Sequence, residues 1–90
     1  MRVEAVRVLL EHGANTGAID NEGRTPLHLV GYHGDRLTEY ERVVVVRMLL
    51  EHGANIGAED NKGRTACQIA LANGDMITKQ VLERGAKGIL

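Results

Sequence analysis

The chain has 90 residues and a formal net charge of −1; 43% of it is hydrophobic but only 2% is aromatic. That length supports one small domain, in a size range where a single core is marginal, so burial rests on many small aliphatic side chains. A near-neutral chain with no basic run argues against nucleic acid or an anionic membrane as partner, and the lone Cys67 excludes an intramolecular disulfide and fits a reducing, intracellular setting.

The first segment, MRVEAVRVLLEHG, is interrupted by Glu4 and Arg7 and has no small-residue cleavage site, so it is a poor signal peptide. It reads instead as a helix that stops at LLEHG. Leu9 and Leu10 close its apolar face, and Gly13 supplies the left-handed residue after the last turn. Gly53 is expected to stop a helix in the same way, and so is Gly85 in LERGA.

This stop opens a duplicated string. LLEHGANTGAIDNEGRT at 9–25 returns as LLEHGANIGAEDNKGRT at 49–65, identical at 14 of 17 positions. Only Thr16, Ile19 and Glu22 change, to Ile56, Glu59 and Lys62. Within each copy a polar connector leads to a four-residue turn, Asp20 to Gly23, with an Asx acceptor first and glycine last. Too few residues flank the tip for a sheet, which predicts a hairpin-like finger.

A new helix is expected at TPLH, where Thr25 is a good N-cap and Pro26 occupies the first helical position. In the second copy the proline is gone, but Thr65 and Gln68 form the capping-box pattern. Gly34 and Gly74 are expected to end these helices. After that the copies diverge: Gly34 to Gly53 spans 19 residues, whereas Gly74 to Gly85 spans 11. The extra stretch contains Thr38 and Glu41, another capping box, and predicts a long helix over about 39–52. A short strand at Val43 to Val46 is the alternative, because β-branched residues lower helix propensity. That apolar run falls far short of the roughly 20 residues that span a bilayer, so no membrane insertion is expected.

These residues resemble the ankyrin-repeat family, whose pattern is roughly D-x-x-G-x-T-P-L-H-x-A-A-x-x-G followed by a second helix ending L-L-x-x-G-A, with a period of about 33. Asp20, Gly23, Thr25, Pro26, Leu27, His28, Gly34, Leu49, Leu50, Gly53 and Ala54 match it. The next unit gives Asp60, Gly63, Thr65, Ala70, Gly74, Leu82, Gly85 and Ala86. Removing a seven-residue insert, around 36–42, from the spacing of 40 restores the family period. Departures include Val30-Gly31 in place of Ala-Ala, where a helical glycine costs roughly 1 kcal/mol against alanine.

The resemblance implies an all-α solenoid of helix-turn-helix units joined by hairpin-like fingers. Residues 1–14 would be the second helix of a truncated repeat, 15–54 a repeat with the insert, and 55–90 a C-terminal repeat. It further implies that His28 ties its helix start to the neighbouring loop. One half repeat and two full ones fall below the three or so that bury a continuous core. Flanking repeats of a longer array, or self-association through the open ends, would complete it.

Chemistry of other kinds finds little support. His28 and His33 are five apart and point in different directions on one helix, while His12 and His52 sit where a basic side chain suits a helix carboxyl end. A calcium loop fails because Ala18 and Leu29 would take essential acidic positions. The chain has no serine, no phosphate-binding glycine pattern and no activated nucleophile, and Cys67 reads as a small buried hydrophobe. No cofactor, metal or catalytic residue is expected.

The function implied by the resemblance is binding of a partner protein by finger tips and the concave helix face. The residues expected there are Asn21, Glu22, Arg24, Tyr32, His33 and Arg36, and from the next unit Asn61, Lys62, Arg64, Asn73 and Met76. Tyr32 and Arg24 are the strongest anchors by residue type. A second reading is a regulatory or spacer segment of a larger enzyme or channel that docks within its own polypeptide.

Overall fold

A computed structural model describes residues 3–32 and 37–86. Five helices follow one another: α1 (Val3–Glu11), α2 (Pro26–Tyr32), α3 (Glu39–Glu51), α4 (Ala66–Ala72) and α5 (Met76–Ala86). Among the described residues there is no strand, so Val43 to Val46 are helical. The helices form two layers. The short α2 and α4 lie side by side in one; α1, α3 and α5 stack behind them in the other.

Local chemistry sets the helix starts. Thr38 Oγ1 accepts the Glu41 N–H at 3.1 Å while Glu41 Oε1 accepts the Thr38 N–H at 2.9 Å. Thr65 and Gln68 make the same reciprocal pair at the start of α4. At α2 the acceptor is different: the Thr25 N–H donates to His28 Nδ1 at 3.0 Å. Asp75 begins α5, with Oδ1 accepting the Thr78 N–H and Oδ2 accepting the hydroxyl of the fully buried Thr78. Each such cap contributes about 1 kcal/mol.

The stops are those of the duplicated string. Gly13 and Gly53 have φ of 83° and 88°, and the Ala14 and Ala54 N–H groups reach back to the Leu9 and Leu49 carbonyls. His12 and His52 sit just before them, each with Nδ1 within 2.8 Å of the carbonyl four residues back. Gly74, with φ of 72°, follows the last residue of α4 and its cap Asn73. Gly85 departs from the expectation: α5 runs through it to Ala86, and it has no positive φ. Arg84 stands where His12 and His52 bond back, and Lys87 stands where an Asn side chain holds the next turn. The expected stop at Gly34 lies outside the described residues.

The core is aliphatic, as composition requires. Leu10, Leu27, Val30, Val45, Val46, Leu49, Ala66 and Leu82 form one cluster. A fully buried Leu or Val contributes about 1.5–3 kcal/mol relative to exposure. Leu37, within the segment read as an insert, is also buried, and Arg42 pairs with Asp75 at 3.2 Å with both side chains nearly enclosed. That segment is therefore packed into the layers rather than perched on them.

Gly31 has a second role beyond its cost to the helix. A Cβ built on it would lie 3.0 Å from Ile69 Cγ2 and 3.4 Å from the Ala70 nitrogen. The missing side chain is what lets α4 approach α2 so closely. The other layer shows the opposite situation at α1: Leu9 is 60% exposed, whereas its counterpart Leu49 on α3, a helix that packs against α2, is 3% exposed.

Candidate partner-binding surface

Each finger is closed by one carboxylate. Asp20 Oδ1 accepts the N–H groups of Glu22 and Arg24, and Oδ2 accepts Arg24 Nε–H at 2.8 Å. Asp60 repeats this with Lys62 and Arg64, its Oδ2 taking Arg64 Nε–H at 3.0 Å. The Arg24 N–H is the largest influence lowering the Asp20 carboxyl below its ordinary range. Burial alone would raise the Asp60 carboxyl, but the Arg64 and Lys62 N–H groups and the Arg64 guanidinium overcome it and bring it down to about 2. Arg24 and Arg64 are raised in turn by the same hydrogen bonds to aspartate.

The two fingers then join. The Asn61 N–H donates to the Glu22 carbonyl at 2.9 Å, and Asn61 Nδ2 donates to the Asn21 carbonyl at 3.1 Å. Gly23, at φ 76°, makes room for this contact: a Cβ there would meet Asn61 Oδ1 at 2.3 Å. One turn of each finger thus rests against the other. Glu22 and Lys62 are left exposed at adjacent tips.

Tyr32, at the end of α2, sits between the two arginines. Arg24 Cζ is 4.8 Å from the ring centroid and Arg64 Cζ is 5.6 Å from it, both within reach of a cation–π contact. Arg64 Nη2 also bonds to the Tyr32 hydroxyl. Tyr32 and Arg24, the two expected anchors, are therefore tied together with Arg64 and to the two aspartates. Each of the two guanidiniums thus has both an aspartate and the Tyr32 ring as partners.

His28 couples one unit of this arrangement to the next. It is 1% exposed, and with Nδ1 accepting from Thr25, its Nε2 carries the proton and donates to the Arg64 carbonyl at 2.7 Å. The tie between helix start and neighbouring loop is present as expected. Further along, Asn73 Nδ2 donates to the Gly31 carbonyl at 2.8 Å, and Met76 is 47% exposed at the start of α5. His33 and Arg36 lie outside the described residues. Sequence reasoning passed over Asp20 and Asp60 as orienting groups, although Asp-x-x-x-Arg recurs in both copies and carried that signal. It also passed over Leu71, which is 53% exposed on α4.

Among the described residues, no group of three or more His, Cys, Asp or Glu is placed to hold a metal, and no helix is long and apolar enough to cross a membrane. Stacked helical hairpins joined by hydrogen-bonded fingers define a repeat solenoid. The family model for ankyrin repeats, in three copies, matches residues 1–88, and the chain belongs to the ankyrin-repeat family. The ankyrin repeat and LEM domain-containing protein 1 homolog of Caenorhabditis elegans is 58% identical over 31 residues. That match covers 34% of this chain and 4% of the relative. Ankyrin repeats are in general non-catalytic protein-interaction modules.

Proposed function

We propose that the chain binds a partner protein through its finger tips and the exposed side of α2 and α4, with no catalysis of its own and in an intracellular setting. In this reading residues 1–14 are the second helix of a truncated repeat, 15–54 a repeat with an insert around 36–42, and 55–90 a C-terminal repeat. The observation that carries it is the Arg24–Tyr32–Arg64 stack: two guanidiniums and an aromatic ring held in fixed positions between two joined fingers. Preorganised Arg and Tyr side chains lose little entropy on binding, which is why they recur as interface anchors.

The two tips differ in charge, Glu22 beside Lys62, and both are exposed. A partner with the opposite order of charges is favoured over one with the same order. The test compares proteins captured by the wild type with those captured by a double charge swap, Glu22→Lys with Lys62→Glu. Glu22 makes only an exposed ion pair with Arg24 at 3.7 Å, so both forms are expected to melt nearly alike. Partners retained by the wild type and lost by the swap support the reading. A partner held equally by the swap and by Tyr32→Ala refutes the assigned face.

A further inference from the structure

An open groove of about 620 Å³ lies at the ends of the helices away from the duplicated string's helix stops. Gly31 and Tyr32 from α2, Glu39 and Arg42 from α3, and the 73–77 turn from α4 into α5 line it. Counting back from Gly53 and Gly85, α3 starts five residues earlier than α5, which is about 7 Å of extra helix. Glu39 and Arg42 stand on that extra length. One wall of the groove therefore exists because this unit is longer than its neighbour.

The polar groups of the groove are mostly engaged. Arg42 is bound to Asp75 and donates to the Leu37 carbonyl at 2.8 Å. Asp75 also caps α5 through Thr78. Asn73 spends an amide hydrogen on the Gly31 carbonyl, leaving Oδ1 as an acceptor. The Glu39 carboxylate has no ion pair or hydrogen bond among the described residues. Apart from the Tyr32 hydroxyl, which already accepts from Arg64 Nη2, what the groove offers a newcomer is acceptors, beside the exposed Met76 and the half-buried Ile77.

We infer that this groove receives a lysine or arginine side chain of a partner protein. The aliphatic stem lies along Met76 and Ile77, and the cationic head meets Glu39 and Asn73 Oδ1. A purely apolar side chain would desolvate Glu39 without pairing it, and an acidic one would face a like charge. This rests on the partner-binding reading above and adds the chemistry of the segment that is bound.

The experiment selects a phage-displayed random dodecapeptide library on the wild-type chain, then measures the selected peptides on Glu39→Gln, Glu39→Lys, Met76→Lys and the tip charge swap. Melting curves verify that each variant is folded; the exposed positions of Glu39 and Met76 make this the expected result. Peptides carrying a Lys or Arg beside an aliphatic residue are expected. Glu39→Lys and Met76→Lys should weaken them about tenfold or more, and Glu39→Gln less. Acidic or uncharged peptides, or basic ones indifferent to Glu39→Lys, overturn the groove assignment; if those depend on the tips, partner binding by the fingers survives. Failure to select any peptide counts against both.

Discussion

The His28 imidazole donates from Nε2 to the Arg64 carbonyl 36 residues away, at 2.7 Å, while its Nδ1 accepts from the Thr25 N–H at 3.0 Å. One buried ring thus starts a helix and fastens the next finger. His28→Ala leaves both backbone groups without a partner and opens a cavity, and should cost about 2–4 kcal/mol in urea unfolding. His28→Gln keeps the cap acceptor, as Gln68 does at α4, and should cost clearly less. Equal losses would show that the bond to Arg64, and not the cap, carries the stability.

Gly31→Ala should be destabilising even though alanine favours a helix by about 1 kcal/mol. Ile69 is 3% exposed and cannot retreat from a Cβ 3.0 Å away. The resulting overpacking costs about 1–3 kcal/mol. Ile69→Leu removes the branch at Cβ, and in that background Gly31→Ala should become neutral or stabilising. An unchanged effect in both backgrounds would rule out the contact as the cause.

Acid should expose the role of the finger carboxylates. The folded Asp60 carboxyl, at about 2, lies below the ordinary aspartate value near 3.9. Its contribution is full above the ordinary value and is lost as pH falls toward about 2. Asp60→Asn should flatten the acid limb of a melting-temperature profile in that window. Asp20→Asn should do so less, because the Asp20 side chain is 34% exposed and that of Asp60 is 1% exposed.

Excising residues 36–42 should unfold the chain. Leu37→Ala alone is expected to cost about 2–4 kcal/mol, since the side chain is buried. Arg42→Met breaks the link from α3 to Asp75 and should cost about 1–3 kcal/mol. Chemical denaturation of the three forms orders them; a fully stable excision variant would contradict the packing described.

Tyr32→Phe removes the hydroxyl but keeps the ring between Arg24 and Arg64, whereas Tyr32→Ala releases both guanidiniums. Relaxation of the arginine Nε–H groups by NMR should show faster motion in the alanine form and little change in the phenylalanine form. Similar motion in all three would mean that Asp20 and Asp60 suffice to hold them.

Much of the fold was legible because its signals are local. Threonine followed three residues later by Glu or Gln marks two helix starts, and the glycines at 13, 53 and 74 mark stops that depend only on backbone conformation. Gly85 misled because a glycine permits a helix stop without enforcing one: α5 runs through it to Ala86, and Arg84 and Lys87 stand in place of the histidine and asparagine that flank Gly13 and Gly53. The helical cost of Gly31 was legible, its purpose was not, since Ile69 lies 38 residues away. Arg24 and Arg64 read as separate surface residues for the same reason. That Tyr32 stands between them is a fact of stacking, invisible in a linear string.

Forty residues after Gly31 stands Leu71, more than half exposed on α4. At one joint a bare α-carbon draws the next helix in until methyl and backbone touch; at the same register of the following unit a leucine would hold a neighbour away by the width of its side chain. The pitch of this solenoid is thus not a constant of its sequence family but a quantity assigned joint by joint. The curvature that a bound protein meets depends on that pitch, so changing a single buried residue such as Gly31 would reshape the recognition surface without altering any of its exposed side chains.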